Sequence, residues 1–360
     1  MIAKFSQKDL DELRYLLRVK DNNISAAEIY IEYLNNHPFD ISKNDVQNSS
    51  FFEAFLSTLE IEKNDPEFSE VNDNSKLDKM SALNPLEFLD DGYAKLIKNI
   101  SFKEDNWELT TLYYEPYQGF VYDELRIDKY SFKEETPFGY FKEKFPYIAL
   151  IEDDLVWMSV IPHEINTMKQ PIKDAFGKVL VLGLGLGYYA YHVSMKEDVE
   201  SVTIIENDKR AIDIFTKYIY PKFPHKEKIK VIYEDAFSYL DSMPEYDFVF
   251  SDIWHNVGDG LSLYLKIKQH ENKYPYTKFE YWIETSLLAM IRRMTLTVFE
   301  EVCFEHFKDA DYLKTQNEND KIINSIYFAL KDKTFNSIDD VRQLLQEDSL
   351  KQLVRELKIK

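Results

Sequence analysis

Cysteine is almost absent from this chain of 360 residues, with Cys303 standing alone. One thiol can form neither an internal disulfide nor a cysteine-based zinc site, and its isolation fits a reducing compartment. Positive charge is also scarce, with 44 Lys and Arg against 64 Asp and Glu and a formal net charge of −20. A surface of that sign repels phosphate backbones, so no nucleic-acid partner is expected, while cationic substrates stay open. Long hydrophobic runs are missing too. The longest, Val179 to Tyr191, carries three glycines and is too short to span a bilayer. Met1 to Lys8 is followed by charges and lacks the apolar core of a signal peptide. The expectation is a cytoplasmic protein with no membrane partner. Only nine glycines occur in the whole chain, which makes the three at 183, 185 and 187 informative.

Apolar residues make up 44% and aromatic ones 15%, including 25 Tyr and 25 Phe, so the chain has ample material for a core. Its length suggests two domains, or one large domain with additions. The first hundred residues look helical. Leu10, Leu13 and Leu17 recur at helical spacing, and Ser25 with Glu28 fits a capping box ahead of Ile29, Ile31 and Leu34. Asn84, Pro85 and Glu87 offer another helix start, and the polar stretch from Asn64 to Ser81 reads as a loop. From Trp107 to about Val160 short stretches rich in Tyr, Phe, Thr, Val and Ile alternate with turns, as in antiparallel strands.

A strand–helix alternation then takes over. Val179-Leu180-Val181-Leu182, Val202-Thr203-Ile204-Ile205, Ile229 to Tyr233 and Tyr246 to Ser251 read as strands of a parallel sheet, and Phe279 to Ile283 as a fifth. Ser286 to Phe304 reads as a long apolar helix, and Ser337 with Asp340 opens an amphipathic C-terminal segment. The expected fold class is α/β, a Rossmann-like doubly wound sheet with additions. Its expected units are a helical N-terminal region (1–104), a small β domain or hairpin lid (105–168), a Rossmann-like domain (169–312) and a C-terminal helical segment (313–360).

The chemistry-bearing residues fall at strand ends. Gly183-Leu184-Gly185-Leu186-Gly187 sits between a strand and a helix, where backbone N–H groups can hold a polar ligand. Its G-x-G-x-G spacing, with Tyr188 where a dinucleotide fold has glycine, favours S-adenosylmethionine or a relative over NAD; a purely structural tight turn is the plain alternative. Glu206 closes the next strand about 20 residues on, where a carboxylate accepts the ribose hydroxyls, unless it is a solvated acid. Asp235 and Ala236 follow the third strand and can bind and enclose an adenine, with a helix N-cap as the plain role for Asp235. Asp252 ends the fourth strand and is the candidate for managing an acceptor proton, assisted by His255, while Trp254 can pack on a cation. His163-Glu164 lacks the second histidine of H-E-x-x-H, since position 167 is Thr, so no metal is expected.

Taken in order from Ile148 to Asn256, these residues resemble the class I S-adenosylmethionine-dependent methyltransferases, and among them the spermidine-synthase-like aminopropyltransferases. The resemblance implies S-adenosylmethionine, or its decarboxylated form, as cofactor, and an acceptor pocket that includes His163, Glu164 and Trp254. Three positions depart from the aminopropyltransferase pattern. Leu186 replaces the loop Asp that meets the aminopropyl amine, Pro162 replaces the Tyr of Tyr-His-Glu, and His255 replaces the second acceptor-binding Asp. These departures make methyl transfer to a small-molecule or protein acceptor the expected reaction. Aminopropyl transfer is the alternative, and a non-catalytic nucleoside-binding scaffold the second alternative. A small molecule, amines included, is the expected partner, and a homodimer is left open.

Overall fold

The computed structural model describes residues 1–304 and 317–357. Helix α1 (Gln7–Asn36) begins at Ser6, whose hydroxyl accepts the Asp9 N–H while the Asp9 carboxylate accepts the Ser6 N–H. The helix expected to start at Ser25 is the second half of this same element. No cap is needed there, because the buried face continues through Leu13, Leu17, Ala26, Tyr30 and Tyr33. Buried Asn23 is fully used as well, donating to the Phe132 carbonyl (2.9 Å) and accepting from Asn74 (2.9 Å) and the Glu134 N–H (3.1 Å). The stretch read as a loop contains a helix over Pro66–Ser75. Asp65 caps it, proline occupies its first turn, and Phe68 and Val71 are buried beneath it.

Strands β1 (Phe102–Glu104), β2 (Trp107–Tyr114), β3 (Phe145–Glu152) and β4 (Leu155–Ser159) form an antiparallel sheet in the order β4-β3-β2-β1. Asp153 and Asp154, both at positive φ (50° and 65°), make the tight turn joining β3 to β4. Helix α2 (Pro162–Asp174) follows, so His163 and Glu164 sit on a helix that runs across the expected boundary at 168.

The parallel sheet comprises β5 (Gly177–Leu182), β6 (Val199–Glu206), β7 (Ile229–Tyr233), β8 (Phe248–Ser251) and β9 (Lys278–Tyr281), in the order β7-β6-β5-β8-β9 among the described residues. Its connections are α3 (Tyr188–Ser194), α4 (Lys209–Ile214), α5 (Ala236–Asp241) and α6 (Val257–Glu271), with α7 (Glu284–Phe304) after β9. This is a Rossmann-like doubly wound sheet. Val179, Leu180, Leu182 and Phe248 to Phe250 are almost fully buried, which is why these strands read as continuous apolar runs. The chain moves outward from β5 to β7, then returns to place β8 and β9 on the other flank, so a crevice opens beyond the carboxyl ends of β5 and β8. Three C-terminal helices, Glu318–Leu330, Ile338–Leu344 and Glu347–Glu356, pack near α7, and the Asp340 carboxylate accepts the Ser337 N–H (3.3 Å) where the expected amphipathic segment opens. The expected boundary between 312 and 313 lies outside the described residues. Among the described residues no helix is long and apolar enough to cross a membrane.

The N-terminal region reaches the glycine loop directly. Fully buried Tyr93, on the short helix Gly92–Ile97, donates its hydroxyl to the Leu186 carbonyl. The rings of Tyr188, Tyr191 and Phe223 surround it at 5.4, 5.5 and 6.2 Å. Tyr93→Phe keeps the ring and leaves that carbonyl unpaired, so it should cost about 1–3 kcal/mol in urea denaturation. Amide exchange at Leu184 to Gly187 should accelerate at the same time. Unchanged exchange there would show that the loop does not depend on Tyr93.

Candidate active site

The crevice is a cleft of about 700 Å³. Its floor is the glycine loop, where Gly183 (φ +96°) and Gly185 (φ +53°) adopt left-handed backbone that side chains rarely tolerate. A Cβ on Gly183 would lie 2.0 Å from the Asp252 carbonyl oxygen, a rigid backbone atom. On Gly185 it would meet only the flexible end of Met158, at 2.7 Å. Gly183 therefore sets how closely the loop meets β8, while Gly185 borders the open cleft. Gly187, expected at the ligand, instead begins α3 and faces Phe215 and Phe223.

Glu206 is buried at the end of β6. Its Oε2 accepts the Leu184 N–H (3.0 Å) and its Oε1 the Asp208 N–H (2.7 Å), so one carboxylate ties the glycine loop to the next strand. Each oxygen keeps a further lone pair for a ligand hydroxyl. Asp208 is held by Arg210, whose guanidinium also bonds Glu152 on β3 (2.5 Å) and lies over the Trp107 ring. That pairing keeps the Asp208 carboxyl below the usual range. Asp235 and Ala236 border the same cleft. The Asp235 carboxylate caps α5 through Ser238, so its structural role is real whatever else it binds.

Across the loop, Asp252 extends from β8, its N–H donated to the Leu182 carbonyl (2.8 Å). Burial pushes its carboxyl up to about 7. Glu164, in the first turn of α2, is pushed well above the ordinary range by burial and then by the charge of Asp252. Two carboxyls in one recess cannot both ionise cheaply, so each raises the other's hold on its proton.

Trp254 is buried in the wall, 4% exposed, and its indole Nε1 has no hydrogen-bond partner among the described residues. His255 reaches the rim only. It is exposed, its Nδ1 sits 3.0 Å from Asp259, and its backbone N–H is held by the same carboxylate, an arrangement that serves the start of α6. His163 does not border the cleft. Burial pushes its ring down to about 4, against the opposing charge of Asp123, and its edge packs on Trp282 at 5.9 Å. Trp282, Trp157, Met158 and Leu263 are lining residues that sequence reasoning missed. Trp282 had a usable signal, since it directly follows a parallel strand, and its Nε1 is fixed on Thr167 at 2.9 Å.

Residues 163–270 match the family model of the spermine/spermidine synthase domain. Among curated proteins the chain is similar to the polyamine aminopropyltransferase of Clostridium beijerinckii, 30% identical over 146 residues, covering 39% of this chain and 49% of that one. It is also similar to the enzyme of the same name from Clostridium botulinum strain Eklund 17B, 23% identical over 184 residues, covering 45% and 62%. The chain thus spans about half to three-fifths of the length of these relatives. A solved spermidine synthase from Thermotoga maritima aligns with a TM-score of 0.30 and 14% identity, over 42% of this chain and 59% of that one. These comparisons correct the expectation of methyl transfer, because the matching model and the curated relatives carry aminopropyltransferase names. The departures at Leu186, Pro162 and His255 do not carry another reaction. Pro162 starts α2, Leu186 is buried and lends its carbonyl to Tyr93, and His255 sits on the rim, so all three fill structural positions.

The raised carboxyls make stability depend on pH with a definite sign. Asp252 releases its proton near 3.8 when unfolded and near 7 when folded, and Glu164, Glu124 and Glu280 are raised likewise. The native state therefore binds more protons between those values, and stability falls as pH rises through that window. His163 and His270, both lowered by burial, oppose this below about 6.5, but the four raised carboxyls outnumber them, so the melting temperature of the ligand-free protein should drop from pH 5 to pH 8, and Asp252→Asn should flatten part of the drop. A melting temperature that rises over this range would refute the buried carboxyl pair.

Proposed function

We propose that the cleft transfers an aminopropyl group from decarboxylated S-adenosylmethionine to an amine. The observation that carries this reading is the lining charge. Among the described residues Glu164, Glu206, Asp208, Glu234, Asp235 and Asp252 border the cleft, and neither Lys nor Arg does. A donor bearing a sulfonium and an ammonium, with no carboxylate, is cationic throughout its reactive end and matches such a site. The carboxylate of S-adenosylmethionine would face like charge with no cation to neutralise it. The overall charge of −20 adds long-range attraction for both cationic reactants. The match of residues 163–270 to the spermine/spermidine synthase domain supports the same reading.

In this proposal the residues on β6 and β7 hold the nucleoside. Glu206 accepts the ribose hydroxyls, Asp235 and Ala236 take the adenine, and Gly183 and Gly185 let the backbone come close. Asp252, ionised once the acceptor ammonium lies beside it and Glu164, takes one proton from that nitrogen and so frees the lone pair that forms the new N–C bond. The C–S bond breaks with its electron pair left on sulfur, giving methylthioadenosine. Trp157 and Met158 on β4 keep water from the sulfonium. An activated sulfonium asks little more of the protein than alignment and a proton acceptor.

Two measurements test this. By calorimetry the decarboxylated donor should bind at least about tenfold more tightly than S-adenosylmethionine, a difference of about 1.4 kcal/mol. Incubation with a mixture of amines should release methylthioadenosine, and Asp252→Asn should slow that release by about 10²-fold or more with donor affinity nearly unchanged. Preferred binding of S-adenosylmethionine, with release of S-adenosylhomocysteine, would overturn the proposal.

A further inference from the structure

The acceptor half of the cleft has a composition of its own. Glu206, Asp208, Glu234 and Asp235 follow β6 and β7, on the nucleoside side of the glycine loop. On the β8–β9 side the only acids in the lining among the described residues are Asp252 and Glu164, and the walls there are Ile253, Trp254, Leu263 and Trp282. This recess offers one anionic place for an ammonium and an apolar surface beyond it. A second ammonium would lie against that surface with no carboxylate among the described lining residues to pair with it.

Two further observations point the same way. Trp254 and Trp282, both almost fully buried in the wall, bring no anionic group to the recess. At the rim, His255 is engaged with Asp259 and adds no anionic group to the recess. Resting on the reading above, we infer that the acceptor is a primary amine with a single cationic nitrogen and an apolar body. Its nitrogen meets the Asp252–Glu164 pair and its body lies along the wall of Ile253, Trp254, Leu263 and Trp282.

Titration of the full chain, saturated with methylthioadenosine, against phenethylamine, hexylamine, putrescine and cadaverine tests this. The expected result is that phenethylamine and hexylamine bind at least about tenfold more tightly than either diamine. With the decarboxylated donor, mass spectrometry should then find N-aminopropyl monoamines as the main products. Trp254→Ala should weaken phenethylamine about tenfold or more while methylthioadenosine affinity stays within about threefold. Should that variant not fold, the wild-type panel decides alone. Normal methylthioadenosine binding with putrescine or cadaverine preferred would overturn the monoamine inference and leave aminopropyl transfer standing. Failure to bind methylthioadenosine or the decarboxylated donor would overturn both.

Discussion

The close approach of the Gly183 backbone to the carbonyl of Asp252 is the constraint on which the cleft depends. With 2.0 Å between that oxygen and any Cβ at 183, only glycine lets β5 end so near β8. The loop can then turn under the crevice with Leu184 N–H aimed at Glu206, and Asp252 stays on the far side facing Glu164. One contact thus divides the site into a half over β6 and β7 and a half over β8 and β9. A bulkier residue would either push the loop into the cleft or separate the strands, and both halves would be lost together.

Charge is the second organising element. Carboxylates dominate the lining, yet they are managed in different ways. Asp208 is neutralised by Arg210, Glu206 is satisfied by two backbone N–H groups, and Asp235 caps a helix. Asp252 and Glu164 have no such support and hold protons instead. The pair is the part of the lining whose charge state responds most to a ligand, since a bound ammonium lets it ionise. That property links the pH dependence of the empty protein to the proton transfer proposed for the reaction.

The N-terminal region is integrated with the site through Tyr93 and the aromatic residues around it, and the hairpin strands are pinned to the sheet domain through Arg210 and Glu152. A scaffold reading, in which the first hundred residues act apart from the nucleoside pocket, sits poorly with a buried tyrosine that holds the glycine loop.

Much of the sheet was legible in the sequence because its strands are buried on both faces and its loops begin at strand ends. The apolar runs at 179–182, 202–205, 229–233 and 248–251 announce parallel strands, and the acids at 206, 235 and 252 follow the last three of them. Local signals misled where long-range packing overrode them. Ser25 and Glu28 look like a helix start, yet α1 runs through them because its buried face is covered without interruption. Polar Asn64 to Ser81 folds into a helix because Phe68 and Val71 have a core to enter. What the sequence by itself determined is the glycine loop, the strand ends and an acidic surface, all of them set by residue type and spacing. Only the tertiary structure decided that Glu164 faces Asp252, that His163 and Gly187 lie outside the cleft, and that Trp254 and Trp282 wall its far half. Those are distances between elements far apart in the chain, and packing sets them rather than periodicity.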